Sequence, residues 1–138
     1  MATVKEQLVI DLIRDEGLKT KPYTDTEGFL TIGVGRNLDD VGLSQDEIRY
    51  LLSNDIERVI YELDNVAPWW SGMTEARQIA LANMAFNLGI TRLSKFINML
   101  SALEAGEYER AAKEALDSKW ATQVGARAYR IAEQIKEG

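Results

Sequence analysis

The sequence predicts an α+β fold, mostly helical, with a small β-meander segregated in an N-terminal lobe and a larger C-terminal helical lobe joined to it by a long helix. Three observations carry that expectation. Apolar residues recur at helical spacing through most of the chain, one short segment alternates instead, and turn signals bracket that segment. At 138 residues the chain is long enough for one core, or for two small lobes sharing a helix. We expect one domain over the whole chain, with the β lobe at about 17–43, the connecting helix at about 44–66 and the helical lobe at about 67–138.

Taken in order, Thr3 followed by Glu6 is a capping-box start. Val4, Leu8, Val9, Leu12, Ile13 and Glu16 then share a helical stripe that Gly17 ends, which predicts a helix over about 3–16 packing near the lobe junction. The pattern changes after Leu18. Tyr23 leads into the turn signal Asp25-Thr26-Glu27-Gly28, and the following FLTIGVG alternates, with Leu30, Ile32 and Val34 on one face and Thr31 on the other.

Leu43-Ser44-Gln45-Asp46-Glu47-Ile48 combines a capping box with a hydrophobic staple: Ser44 caps, Glu47 reaches back, and Leu43 packs on Ile48. Ile48, Leu51, Leu52, Ile56, Val59, Ile60 and Leu63 continue the stripe. One long helix over about 45–65 follows, long enough to join two lobes at roughly 1.5 Å per residue. After Pro68-Trp69-Trp70-Ser71-Gly72, Thr74 caps a helix of about 75–88 that is apolar almost all round, hence the centre of the larger lobe. The remainder reads as short helices near 94–104, about 107–117 and about 125–136, with Gly106 and the stretch Thr122 to Gly125 as breaks.

Composition removes whole classes of chemistry. There is no cysteine, which excludes disulfides and thiol catalysis, and no histidine, which removes the usual general base, the usual zinc ligand and any Ser/His/Asp triad. No cofactor or metal is implied. Acid/base work falls to Asp, Glu, Lys or Tyr. The start, MATVKEQLVIDLIRDEG, mixes charges into its apolar pattern and reads as an amphipathic helix, not a signal peptide. No stretch reaches membrane-span length, so we expect synthesis in a host cytoplasm and a separate route, holin-type or as part of a particle, to any extracellular target. A net charge of −6 disfavours nucleic acid as a partner.

The segment EGLKTKPYTDTEGFLT places Glu16, eight residues, Asp25, five residues, Thr31 around a tight turn at a helix end. Singly, each has a plainer account. Glu16 could be a solvated helix-end glutamate, Asp25 a turn former bonding its own backbone, and Thr31 a β-branched strand filler. Yet Glu16 lies on an apolar stripe, at the helix end where its charge opposes the macrodipole. Two carboxylates and a hydroxyl are also what an inverting glycosidase requires: an acid on one side of the sugar and a held water on the other.

The segment strongly resembles the phage lysozymes, the endolysin muramidases, in Asp15-Glu16-Gly17-Leu18, Asp25-Thr26-Glu27-Gly28 and Thr31-Ile32-Gly33-Val34-Gly35. LSQDEIRYLLSNDI is similar to that family's connecting helix, ALANMAFNLG to its central buried helix and SKWATQVGARAYR to its C-terminal stretch. The resemblance implies a lysozyme-like fold and a metal-free, inverting hydrolase of peptidoglycan. Glu16 would be the proton donor, with Asp25 and Thr31 holding and activating the attacking water. It further implies that Arg127 approaches the catalytic glutamate and that Glu27, Asn83, Phe86 and Asn87 line the glycan groove. A monomer is the family default.

Two positions depart from the family. Arg36 stands where many relatives have a structural histidine paired with an acid on the connecting helix, which predicts a salt bridge between Arg36 and Asp55. Asn87 replaces a glutamine. Lys19, Lys21, Arg36 and Arg127 could make a basic groove despite the acidic total. Two competitors share this chemistry or fold: a lytic transglycosylase, in which a sugar hydroxyl replaces water, and a catalytically silent glycan-binding or structural module of a phage particle.

Overall fold

The computed structural model describes all residues, Met1–Gly138. The chain divides into two compact units, Met1–Tyr50 and Leu51–Gly138, and the division falls within a single helix.

Unit 1 begins with α1, Val4–Glu16, whose Thr3 side chain accepts the Glu6 N–H at 3.1 Å as a capping-box sequence requires. At the other end Gly17, at φ 80°, returns its N–H to the Ile13 carbonyl at 2.9 Å and turns the chain into the sheet. Three antiparallel strands follow in the order β1-β2-β3: β1 Lys19–Thr24, β2 Leu30–Gly33 and β3 Arg36–Asn37. Tyr23 pairs with Thr31 and Thr24 with Leu30, whereas Lys19 pairs with Gly33, so β1 carries an irregularity between Lys19 and Tyr23. Pro22, which has no N–H to give a ladder, sits in that stretch on an edge strand.

In β2 the most covered side chain is the one bearing the hydroxyl. Thr31 is 3% exposed, while Ile32 is half-buried and Leu30, like Val34 just beyond the strand, is exposed. Thr31 is the one buried side chain of unit 1.

The long helix α2, Gln45–Val66, crosses from one unit to the other, and in unit 2 it buries Val59 and Leu63. The apolar core lies wholly in unit 2. It is built on α3 (Glu75–Leu88), α4 (Ile90–Leu93), α5 (Ile97–Glu104), α6 (Tyr108–Leu116), α7 (Lys119–Val124) and α8 (Ala126–Glu137). α3, read as the centre, contributes Ala80, Leu81, Met84 and Ala85, all buried. α8 packs on both α3 and α6, through Ala128, Ile131, Ala132 and Ile135. Alanines on these faces let the helix axes approach closely.

Pro68–Gly72 forms a 3-10 turn in which Trp70 is buried and donates its Nε1–H to Asp64 Oδ1 at 2.6 Å. Two local expectations are corrected. The helix expected from about 94 starts at Ile97, because fully buried Leu93 closes the separate short helix α4 and the Ser94 hydroxyl donates back to the Ile90 carbonyl. Thr122 and Val124 are helical, within α7, and the break is Gly125 alone, at φ 59° and ψ −121°. No helix is long and apolar enough to cross a membrane.

Candidate active site

The turn between β1 and β2 is organised by one side chain. Asp25 Oδ1 accepts the backbone N–H of Glu27 and of Phe29, both at 2.9 Å, while the Gly28 N–H reaches the Asp25 carbonyl at 3.1 Å. This is the local bonding that favours aspartate in turns, and it occupies one carboxylate oxygen only. Asp25 Oδ2 accepts nothing from the protein and is left for a ligand.

Phe29 links Asp25 to Thr31. Its N–H binds Asp25 Oδ1, and its carbonyl accepts both the Asp25 N–H at 2.9 Å and the Thr31 hydroxyl at 3.0 Å. Two side chains separated by five residues are thereby fixed to the two faces of a single backbone residue. The consequence for Thr31 is chemical: its one proton is spent on Phe29, so toward any ligand Oγ1 acts only as an acceptor. Sequence reasoning had no signal for Phe29, because its contribution is backbone. Asp39, also unread, holds the start of β2 by accepting the Leu30 N–H at 2.8 Å.

Glu16 is exposed, although its place on the apolar stripe predicts partial burial. Its side chain lies against Gly35, in the three-residue connection between the paired residues Ile32 and Arg36. The sheet unit thus carries Glu16, Asp25 and Thr31, while Glu27 is exposed at the crest of the Asp25 turn.

The predicted pair of Arg36 with Asp55 is not the pairing present. Arg36 binds Glu47 through two parallel contacts, Nη1 to Oε1 and Nη2 to Oε2, each 2.8 Å, and Nη1 also donates to the Gly42 carbonyl at 3.0 Å. Asp55 instead takes Arg58 at 2.9 Å, one turn along its own helix. The reason is the capping box. Glu47 already reaches back to accept the Ser44 N–H at 2.8 Å, and that pose presents both carboxylate oxygens to the guanidinium fork. Hydrogen bonding from Arg36, with smaller contributions from Ser44, lowers the Glu47 carboxyl to about 2.

In unit 2, Asn83 and Asn87 are exposed on α3, and each amide oxygen is already engaged. Arg127 donates Nε and Nη2 to Asn83 Oδ1 at 3.0 and 2.7 Å, and Trp120 donates Nε1 to Asn87 Oδ1 at 2.7 Å. Both partners are donors only, so the amide oxygens face them and the NH₂ groups are left without a protein partner. Arg127 is held by a neutral amide and has no carboxylate partner. Phe86, 44% exposed, lines a groove of about 510 Å³ with Leu52, Ile56, Ile79 and Asn83.

The sequence as a whole matches the phage lysozyme family over residues 14–134. It is 36% identical to the pre-baseplate central spike protein Gp5 of Enterobacteria phage T4 across 92% of this chain, which spans 27% of that protein's length. A probable T4-type lysozyme of Dictyostelium discoideum is 29% identical, with 90% of each chain covered. A SAR-endolysin of Escherichia phage Mu is 34% identical over 72% of this chain and 58% of its own. With most of the chain matched, this protein belongs to the phage lysozyme family.

Proposed function

We propose that the chain is a peptidoglycan hydrolase, a muramidase that cleaves the β-1,4 bond between N-acetylmuramic acid and N-acetylglucosamine with inversion. The observation that carries this reading is the hydrogen-bond state of Asp25 and Thr31. Asp25 Oδ2 is a charged acceptor without a protein donor, and Thr31 Oγ1 can only accept. A water donating one proton to each turns its lone pair outward, and Asp25 takes up the proton as the oxygen attacks the anomeric carbon. Glu16 gives its proton to the leaving glycosidic oxygen. Glu27, Asn83, Phe86 and Asn87 are proposed sugar contacts, the two amides through NH₂ groups that no protein acceptor takes.

The same observation favours hydrolysis over transglycosylation, since a transglycosylase needs no acceptor pair for water. The similarity to a phage spike protein supports a second reading, that the domain works as a part of a particle, either as an enzyme or as a silent glycan-binding module. Synthesis in a host cytoplasm and action as a monomer remain part of the proposal.

A cell-wall zymogram with the wild type and Glu16→Gln tests it. Clearing by the wild type, with a loss on the order of 10³-fold in the variant, is the expected outcome for removal of a general acid. Equal clearing by both, or none by either on several wall types, overturns the enzyme reading. Anhydro-muropeptides as the main product by mass spectrometry overturn the hydrolytic step alone.

A further inference from the structure

We propose that Gly35 is a positioning residue for the acid: the missing side chain at this point in the β2–β3 connection is the seat of the Glu16 carboxyl. This rests on the role of Glu16 proposed above. The glycines of unit 1 divide sharply by what a β-carbon would meet. At Gly17, Gly28 and Gly33 there is nothing within 4 Å, and at Gly42 only the Leu38 carbonyl at 3.8 Å. A β-carbon at Gly35 would stand 3.2 Å from Glu16 Oε2, 3.4 Å from Cδ and 3.6 Å from Cγ.

Three successive atoms of one side chain at similar distances place the end of Glu16 across the glycine. An added methyl group would touch Cγ and Cδ at ordinary contact distance and crowd Oε2, so the carboxyl must give by a few tenths of an ångström. The choice of glycine is also required by its backbone, at φ 68°, but Gly33, two residues before it, has φ 70° with open space around it. Backbone strain is thus common to both positions, and the contact with Glu16 belongs to one. Because Glu16 is exposed and its carboxyl is the far end of a flexible side chain, relief of the crowding comes from the acid and not from the backbone. The helix end gives no counter-force, since the macrodipole there repels a carboxylate.

The two alanine variants, Gly35→Ala and Gly33→Ala, separate seat from strain. Melting temperatures should be lowered about equally. On soluble wall fragments, kcat of Gly35→Ala should fall about fivefold or more, because the carboxyl is displaced by a few tenths of an ångström at a reacting group where a shift near 1 Å costs on the order of 10²-fold. Its KM should stay within about twofold, and kcat of Gly33→Ala within about threefold of the wild type. In parallel, carbon-13 NMR of labelled glutamate should show the Glu16 carboxyl resonance displaced in Gly35→Ala and unmoved in Gly33→Ala. Equal kcat losses in the two variants overturn the proposal, as does a Gly35→Ala protein that melts far below Gly33→Ala or fails to fold. Should the wild type itself lack hydrolytic activity, the muramidase reading fails, and the NMR comparison decides alone: an unmoved Glu16 resonance in Gly35→Ala then overturns the seat.

Discussion

Asp25 holds its turn with one oxygen and, in the proposed mechanism, takes the water with the other, and a single-atom exchange separates the two. In Asp25→Asn the amide oxygen can still accept the Glu27 and Phe29 N–H groups, so the turn persists and stability changes by less than about 1 kcal/mol. The free position, however, becomes an NH₂ donor that cannot take a proton from water. Hydrolysis should fall by about 10²-fold or more in a soluble-substrate assay while the melting curve barely moves. Thr31→Val tests the partner acceptor. The Phe29 carbonyl keeps its bond from the Asp25 N–H, so a stability loss of about 1 kcal/mol accompanies a larger loss of rate. At this scale the sequence was most informative about identity and least about pose. The spacing of Glu16, Asp25 and Thr31 is visible in the string, but the Phe29 backbone that ties two of them together has no residue-type signature.

Among the elements, the start of α2 shows how a local rule can redirect a long-range one. A capping box was legible at Ser44 and Glu47, and it forms as read. The pairing of Arg36 was misplaced because the sequence cannot say that a carboxylate held at the third helical position also faces β3. Forming that bond depresses Glu47 to about 2 from an ordinary 4.5. A depressed carboxyl contributes stability that is present above its unfolded value and lost as pH falls through its folded value. The difference in melting temperature between the wild type and Glu47→Gln should therefore be full at pH 6, shrink below about pH 4.5 and close near pH 2. A difference independent of pH would mean that the ion pair contributes nothing. Bidentate geometry is what lifts this pair above the exposed Arg–Asp pairs within the helices, such as Arg49 with Asp46 at 3.9 Å.

For the whole molecule, burial is unequal between the units. Every residue of the apolar core belongs to unit 2, where Arg77 also ties elements together by donating to the Ile135 and Lys136 carbonyls at the end of α8 and stacking 3.4 Å from the Tyr108 ring centroid. Native-state hydrogen exchange should accordingly find the α3 and α8 amides opening only with global unfolding. Those of β1 to β3 should exchange through local opening at lower free energy. Uniform protection across both units would contradict that division. Of the four cations expected to offset the net charge of −6, Arg36 is neutralised by Glu47, whereas Arg127 rests on a neutral amide. By itself the sequence determined the α+β class, the bounds of α1, α2 and α3, the place of the sheet and the three residues on which the proposed mechanism rests. Helical and strand periodicity, capping boxes and turn chemistry are local interactions written in adjacent residues. Only the tertiary structure decided that Thr31 takes the covered face of β2, that Arg36 joins Glu47, that Arg127 and Trp120 take the amide oxygens of Asn83 and Asn87, and that Glu16 lies across Gly35. Each of these depends on which distant groups meet, and a hydrogen bond or a close contact between them is set by the packing of elements, not by spacing along the chain.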